Sequence, residues 1–214
     1  MTMTNNAEDS FKIEIKRGKG DKIHIYANGE YSATVDFAYW FSSGVPHGCI
    51  LDGDEFCRLI SSLEERRACN KALDILSLRD HSKKELLTKL KLKFSAEAAE
   101  KAVTKAEEAG LIDDEAFARK LSAELFRRKR YGPDRIKSEL IFKGICREDA
   151  DGFAAELDID VTECIIELLR TKFSGSLSNE KDTRRTFNSL MRMGYRAGDI
   201  KSALRGFTQE TEEI

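Results

Sequence analysis

The chain has 214 residues, 41% of them apolar and 35% charged, with Lys+Arg 36 against Asp+Glu 38. A net charge of −2 excludes a uniformly basic nucleic-acid binder, but it leaves room for a chain whose positive and negative segments are kept apart. Only Pro46 and Pro133 interrupt the backbone donors, so helices can run long, and the length predicts one or two domains.

Residues 1–10 are polar and lack the apolar core of a secretory leader; they read as a flexible N-terminus. The longest wholly apolar run, Phe37–Phe41, is far short of the ~20 residues of a membrane span. Cys49, Cys57, Cys69, Cys146 and Cys164 form an odd set without a CxxC pair, which reads as reduced, packed thiols of a cytoplasmic protein.

Residues 11–51 read as a small antiparallel meander with a covering helix. Phe11, Ile13 and Ile15 alternate with polar residues, Ile23 and Ile25 do so again, and Tyr31, Ala33 and Val35 complete a third strand. Asn28-Gly29 between the second and third is a strong two-residue hairpin signal. Three strands are too few to stand alone, and Asp36–Ser43, with Tyr39, Trp40 and Phe41, predicts the cover. From Asp52 the period becomes helical, with a connecting helix over 52–64.

Three helical units follow, over 65–112, 113–158 and 159–208, with a flexible tail at 209–214. Leu90, Leu140 and Leu190 recur at 50-residue spacing, and Gly144 and Gly194 repeat it, each followed by a large apolar residue. The first copy has Lys93-Phe94 there, one residue short and without the glycine. A period this long fits three helices per unit, with neighbours stacking to complete the core. Ser82 and Glu85 form a capping box, Ser95 and Asp113 cap later helices, Gly110 ends one, and Gly132-Pro133 opens another.

Charge keeps the same period. Residues 79–94 carry net +4, 97–126 net −4, 127–147 net +6, 148–170 net −7 and 181–205 net +5. A solvated helix face does not need charge of one sign, so three basic runs in phase with a repeat point to a basic stripe for an anionic partner.

Catalytic signatures are absent. No GxxxxGK[ST] loop occurs, and Gly18-Lys-Gly20 reads as a turn. His24, His47 and His81 have no ligand spacing, and His81, just before a cap, reads as exposed. The acids Asp52/Asp54/Glu55 and Asp113/Asp114/Glu115 sit where helices start, where carboxylates cap amides; as magnesium ligands of a nuclease they are the weaker reading. The residues give no catalytic site, no metal site and no cofactor.

Leu78-Arg-Asp-His-Ser82, Glu85–Leu90, Gly110-Leu-Ile-Asp-Asp-Glu-Ala-Phe-Ala118 and Tyr131-Gly-Pro-Asp-Arg-Ile-Lys-Ser-Glu-Leu-Ile-Phe-Lys-Gly-Ile145 together carry a resemblance. Over about residues 65–208 the chain resembles the RecX family, bacterial regulators of the RecA recombinase, and the N-terminal meander looks like the extension of longer members. The resemblance implies a mainly α fold of tandem three-helix repeats, three units, preceded here by a three-stranded antiparallel β-meander. It implies a non-enzymatic protein without cofactor that sits in the groove of the RecA–single-stranded-DNA filament and suppresses strand exchange and ATP hydrolysis. Motif positions map onto Arg79, Ser82 and Leu90, then Gly132, Arg135, Ile136, Leu140, Lys143 and Gly144; of these Arg79, Arg135 and Lys143 are polar enough to contact a partner.

Combining motif and charge, the partner-binding residues are Arg79, Lys83, Lys84, Arg127, Arg130, Arg135, Lys143, Arg184 and Arg185, with Arg127 and Arg130 sharing a helix face by their spacing of three. They would follow a phosphate backbone without reading sequence, as a monomer and away from membranes. Aromatic residues are few in the basic segments (Phe94, Tyr131, Phe142), so a stacking platform for single strands is weakly supported. Two other readings stay open: a stand-alone nucleic-acid-binding helical repeat, and a protein–protein scaffold using the same stripe.

Overall fold

The computed structural model describes residues 10–157, 159–175, 177 and 179–212, with 208–212 as backbone only. Two compact units divide the chain, one of residues 1–80 and 86–112 and the other of 81–85 and 113–214.

The first unit opens with β1 (Phe11–Arg17), β2 (Lys22–Ala27) and β3 (Glu30–Asp36) in antiparallel register. Asn28 and Gly29 both take positive φ, 50° and 84°, the geometry that joins two right-twisted strands most tightly. The sheet has four strands and not three, in the order β3-β2-β1-β4. The added strand, β4 (Ile50–Leu51), pairs with Phe11 and Lys12. Two residues are too short to carry an alternation, so only the fold discloses it.

A second difference lies in β3. The register slips beside Ile25, pairing Ile25 with Ala33 but Tyr26 with Tyr31. The extra residue turns Tyr31 onto the opposite face from Ala33, and it is 58% exposed. The inner face of Ile13, Ile23, Ile25, Ala27, Ala33 and Val35 is buried against Trp40 of α1 (Phe37–Ser42) and Leu59 and Leu63 of α2 (Gly53–Leu76). Phe11 stacks on Phe56 with ring centroids 4.1 Å apart, tying β1 to α2.

Helix α2 begins in a reciprocal cap: the Asp52 carboxylate accepts from the Glu55 amide at 2.8 Å, and Glu55 accepts from the Asp52 amide at 3.1 Å. It then runs unbroken through residues 64 and 65, where the sequence separates a connecting helix from the first repeat. Its later turns bury Ala68 and Ala72 against α4 (Ala96–Glu108), which offers Ala98, Ala99, Ala102 and Ala106. α3 (Lys83–Lys91) fills the same core with Leu86 and Leu90. Glu65 links α2 to α4 through Lys105 and Lys101, and the Lys105 hydrogen bond holds its carboxyl below the ordinary range.

In the second unit α5 (Asp114–Lys129), α6 (Pro133–Lys143) and α7 (Arg147–Ala155) enclose one core, built on Phe117, Leu125, Ile136, Leu140, Ala150 and Phe153. α8 (Val161–Arg170), α9 (Glu180–Arg192) and α10 (Ala197–Glu212) enclose another, on Ile165, Leu169, Leu190, Tyr195, Ile200 and Ala203. α10 continues into the segment read as a tail; residues 213 and 214, like 1–9, lie outside the described residues. Asp113 starts its helix as the sequence suggests, accepting from the Ala116 amide at 2.8 Å, and the structure adds Asp160, which accepts from the Glu163 amide at 2.9 Å. The thiols divide differently from the reading above: Cys57 and Cys146 are exposed, and Cys146 caps α7 by accepting from the Asp149 amide.

The repeat is visible atom by atom. Leu90, Leu140 and Leu190 are each fully buried at the centre of one core. Four residues earlier stand Leu86, Ile136 and Thr186, also buried. α6 and α9 end alike: the amides of Gly144 and Ile145 reach back to the Ile141 and Leu140 carbonyls, and those of Gly194 and Tyr195 to Met191 and Leu190. In the first copy the Lys93 and Phe94 amides both go to the Leu90 carbonyl, and the turn is one residue shorter. Beyond it the spacing is 51 once, from Ala99 to Ala150, and 50 again to Ile200, all fully buried. Leu140→Ala should lower unfolding free energy by ~2–5 kcal/mol, read by denaturant titration, because the other helices of its core cannot collapse onto the space.

Candidate partner interface

The second unit contains the same junction twice. At the first, the start of α3 sits on the closing turn of α6. Ser82 is fully buried; its hydroxyl accepts from the Glu85 amide at 3.2 Å and donates to the Lys143 carbonyl at 2.5 Å. Asp114 accepts from the Lys83 amide at 2.9 Å, and the Lys84 ammonium donates to the Phe142 carbonyl at 3.2 Å. The Lys143 ammonium meets the Glu85 carboxylate at 2.5 Å, with side chains 27% and 14% exposed. Cations here neutralise the carbonyl end of α6.

At the second junction the start of α6 sits on the closing turn of α9. The Gly132 amide donates to the Met193 carbonyl at 2.8 Å and the Asp134 amide to the Gly194 carbonyl at 3.3 Å. The Tyr195 hydroxyl donates to the Arg130 carbonyl at 3.0 Å, and burial pushes that phenol up, so it remains a neutral donor. Arg196 closes the edge on Asp134 at 3.3 Å.

Both junctions need a glycine. Gly144 and Gly194 have φ of 102° and 91°. A β-carbon on Gly144 would lie 2.5 Å from the Lys84 side chain, and one on Gly194 would lie 2.3 Å from the Arg135 amide nitrogen. The left-handed turn and the docking of the preceding helix are one feature.

Each basic residue singled out in the sequence can now be placed. Lys83, Lys84 and Lys143 come together at the first junction, and Arg130 and Arg135 at the second. Arg79 is exposed in the first unit and donates to the Asp80 carbonyl at 2.8 Å. Arg127 is exposed on α5, its Nε 3.4 Å from the Ala123 carbonyl. Arg184 and Arg185 are exposed on α9, with Arg185 3.2 Å from Asp182. Arg135 pairs with Glu139 at 2.6 Å and lies over the Tyr131 ring.

The shared face inferred for Arg127 and Arg130 does not form by helix spacing, because Arg130 is the left-handed cap of α5 with φ 53°. Its guanidinium turns to Glu167 at 2.9 Å and to the Phe126 ring. His81 is another correction: it is buried, 5% exposed, where its place before a cap suggested exposure. Sequence reasoning missed Lys129, which like Arg135 lies over the Tyr131 ring, and Arg196, which secures the second junction. It also missed the hydroxyl of Tyr195, whose repeat position discloses only its size.

Among the described residues no group of three or more His, Cys, Asp or Glu is placed to hold a metal ion, and no helix is long and apolar enough to cross a membrane.

Comparison with known proteins agrees with this architecture. Residues 68–105 match the family model of the first three-helix domain of RecX, and residues 113–152 that of the second. A regulatory protein RecX of Caldanaerobacter subterraneus subsp. tengcongensis is 29% identical over 191 residues, covering 89% of this chain and 95% of its own. One from Salmonella paratyphi B is 33% identical over 153 residues, 66% of this chain and 92% of the relative. A crystal structure of regulatory protein RecX superposes with a TM-score of 0.65 at 22% identity, over 90% of this chain and 99% of that one. The crystal structure of RecX from Lactobacillus salivarius gives 0.57 at 24% identity, over 68% and 97%. At such identities the two structures speak to the fold.

Gly194→Ala should destabilise the second unit by about 2 kcal/mol or more, since a left-handed residue and a docked backbone are both disturbed. Thermal unfolding of this variant against Gly198→Ala, where a β-carbon meets nothing, isolates the effect.

Proposed function

The chain belongs to the RecX family, and from that premise we propose that it regulates the RecA recombinase by binding the filament RecA forms on single-stranded DNA, restraining ATP hydrolysis and strand exchange. It acts in the cytoplasm by binding and not by catalysis. The observation that carries this reading is the doubled junction, with Lys83, Lys84 and Lys143 gathered at one copy and Arg130 and Arg135 at the other. A filament presents equivalent phosphates and carboxylates at regular intervals, and a binder built from a repeat can meet several of them in register.

Attraction to phosphates through counterion release needs no base contact and falls with salt. Ion pairs already made by exposed Arg135 and Arg185 cost little to exchange, because pairs in water contribute about 0–1 kcal/mol. Half-buried Lys143 and Arg130 hold the junctions and set the spacing of the others. Contact with more than one recombinase protomer would hold them in a single state of the ATP cycle.

The test changes Arg127, Arg135 and Arg184 together to Ala and leaves Arg130 in place. Binding to RecA-coated DNA should weaken roughly a hundredfold, about 2.7 kcal/mol, and inhibition of DNA-dependent ATP hydrolysis should fall with it. The slope of log affinity against log salt should become shallower by about 2. Thermal stability should hardly move, since these side chains are exposed. A folded variant that inhibits as well as the parent overturns the reading; equal affinity of the parent for bare and coated DNA would favour a stand-alone nucleic-acid binder.

A further inference from the structure

We propose that the outer face of the N-terminal sheet is a stacking platform for single-stranded nucleic acid, taking bases on Tyr26 and Tyr31 and phosphates on the lysines of β1 and β2. The assignment is separate from the filament reading and uses none of the helical residues.

The face is assembled by register. Across β1, β2 and β3, Glu14 pairs with Tyr26 and Tyr26 with Tyr31; one step along, Lys16 pairs with His24 and His24 with Thr34. The bulge beside Ile25 brings Tyr31 to this side, and without it the ring would point toward the core. Bulges are common where a side chain must be re-aimed. The Tyr26 and Tyr31 rings meet edge to face with centroids 6.0 Å apart, and the His24 ring stands 6.2 Å from Tyr31.

The Tyr31 and His24 rings are also held. Tyr31 Oη and Thr34 Oγ1 are 2.9 Å apart, and Thr34 Oγ1 and His24 Nδ1 are 2.7 Å apart. An exposed tyrosine fixed by its hydroxyl loses little freedom when a base stacks on it. A solvent-facing aromatic ring of this size contributes nothing to the core beneath, which is made by the opposite side of the strands.

Charge selects the ligand. Residues 12–24 hold Lys12, Lys16, Arg17, Lys19 and Lys22 against Glu14 and Asp21. Glu14 is paired with Lys12 at 2.8 Å and Asp36 with Lys22 at 2.5 Å, which matches these two acids with two of the lysines, and Lys16, Arg17 and Lys19 outnumber Asp21 in the same stretch. The Lys16 ammonium lies 4.5 Å from the centre of the Tyr26 ring. A base arriving there would displace it toward the phosphate carried by the same nucleotide. Rings spaced on a basic sheet suit an unpaired strand, whose bases are free to stack; a duplex hides them.

The experiment measures fluorescence anisotropy of oligothymidylate and oligouridylate about ten nucleotides long with the full chain and no recombinase. Tyr26→Ala with Tyr31→Ala should weaken binding at least tenfold, whereas Tyr26→Phe with Tyr31→Phe, which keeps both rings, should retain it. A tighter thymidylate complex assigns the platform to DNA and a tighter uridylate complex to RNA. As a check that needs no variant, an oligomer carrying 5-iodouracil should photocrosslink the parent protein at Tyr26 or Tyr31. Crosslinks confined to the helical repeats, or a folded double-alanine variant with unchanged affinity, would overturn the proposal.

Discussion

The close approach of a helix start to a glycine turn organises the second unit of this protein. At Gly144 and Gly194 the backbone turns left-handed, and in the space a β-carbon would fill lies the beginning of the preceding repeat's middle helix. Carbonyls left unpaired at the end of one helix are met by donors at the start of another: the Ser82 hydroxyl and Lys84 ammonium at one junction, the Gly132 and Asp134 amides at the other. Backbone groups that each helix would otherwise present to water thereby become the joint. Basic side chains concentrate there because a carbonyl terminus attracts cations.

That origin gives the positive charges two roles. Lys143 and Arg130, half-buried and paired with Glu85 and Glu167, secure the joint and set its spacing. Arg127 and Arg184 are exposed on their helices, and they are the ones proposed to meet a partner. Charge counting along the chain sees both kinds as one run. Three-dimensional packing separates them, and so Arg130 is retained in the proposed triple variant while Arg127 is removed.

Much of the fold was legible because its signals are local or periodic. The positive φ of Asn28 and Gly29, the caps at Asp52 and Asp113, and the 50-residue spacing of three buried leucines all follow from short stretches of chain. Features that depend on distant partners were not. β4 exists only because Ile50 and Leu51 meet Phe11 and Lys12; Tyr31 faces outward only because of a slip against β2; His81 is buried by packing that no neighbour in sequence announces. For the candidate interface, residue types were readable, but the left-handed cap at Arg130 broke the helical spacing on which a shared face with Arg127 depended.

Helix α2 has 24 residues, about 36 Å of continuous hydrogen-bonded rod. Leu59 and Leu63 on its early turns seal the sheet, while Ala68 and Ala72 on its later turns seal the first repeat. Because a helix melts far more readily from its ends than from its middle, the two cores are coupled through the stiffest stretch between them. In hydrogen-exchange terms they are expected to open as one foldon, with amides around residues 60–68 exchanging slowest in this part of the chain. The sheet is therefore no detachable ornament: cutting between residues 64 and 65 would leave the first repeat with a frayed helix end where it now has an uninterrupted brace.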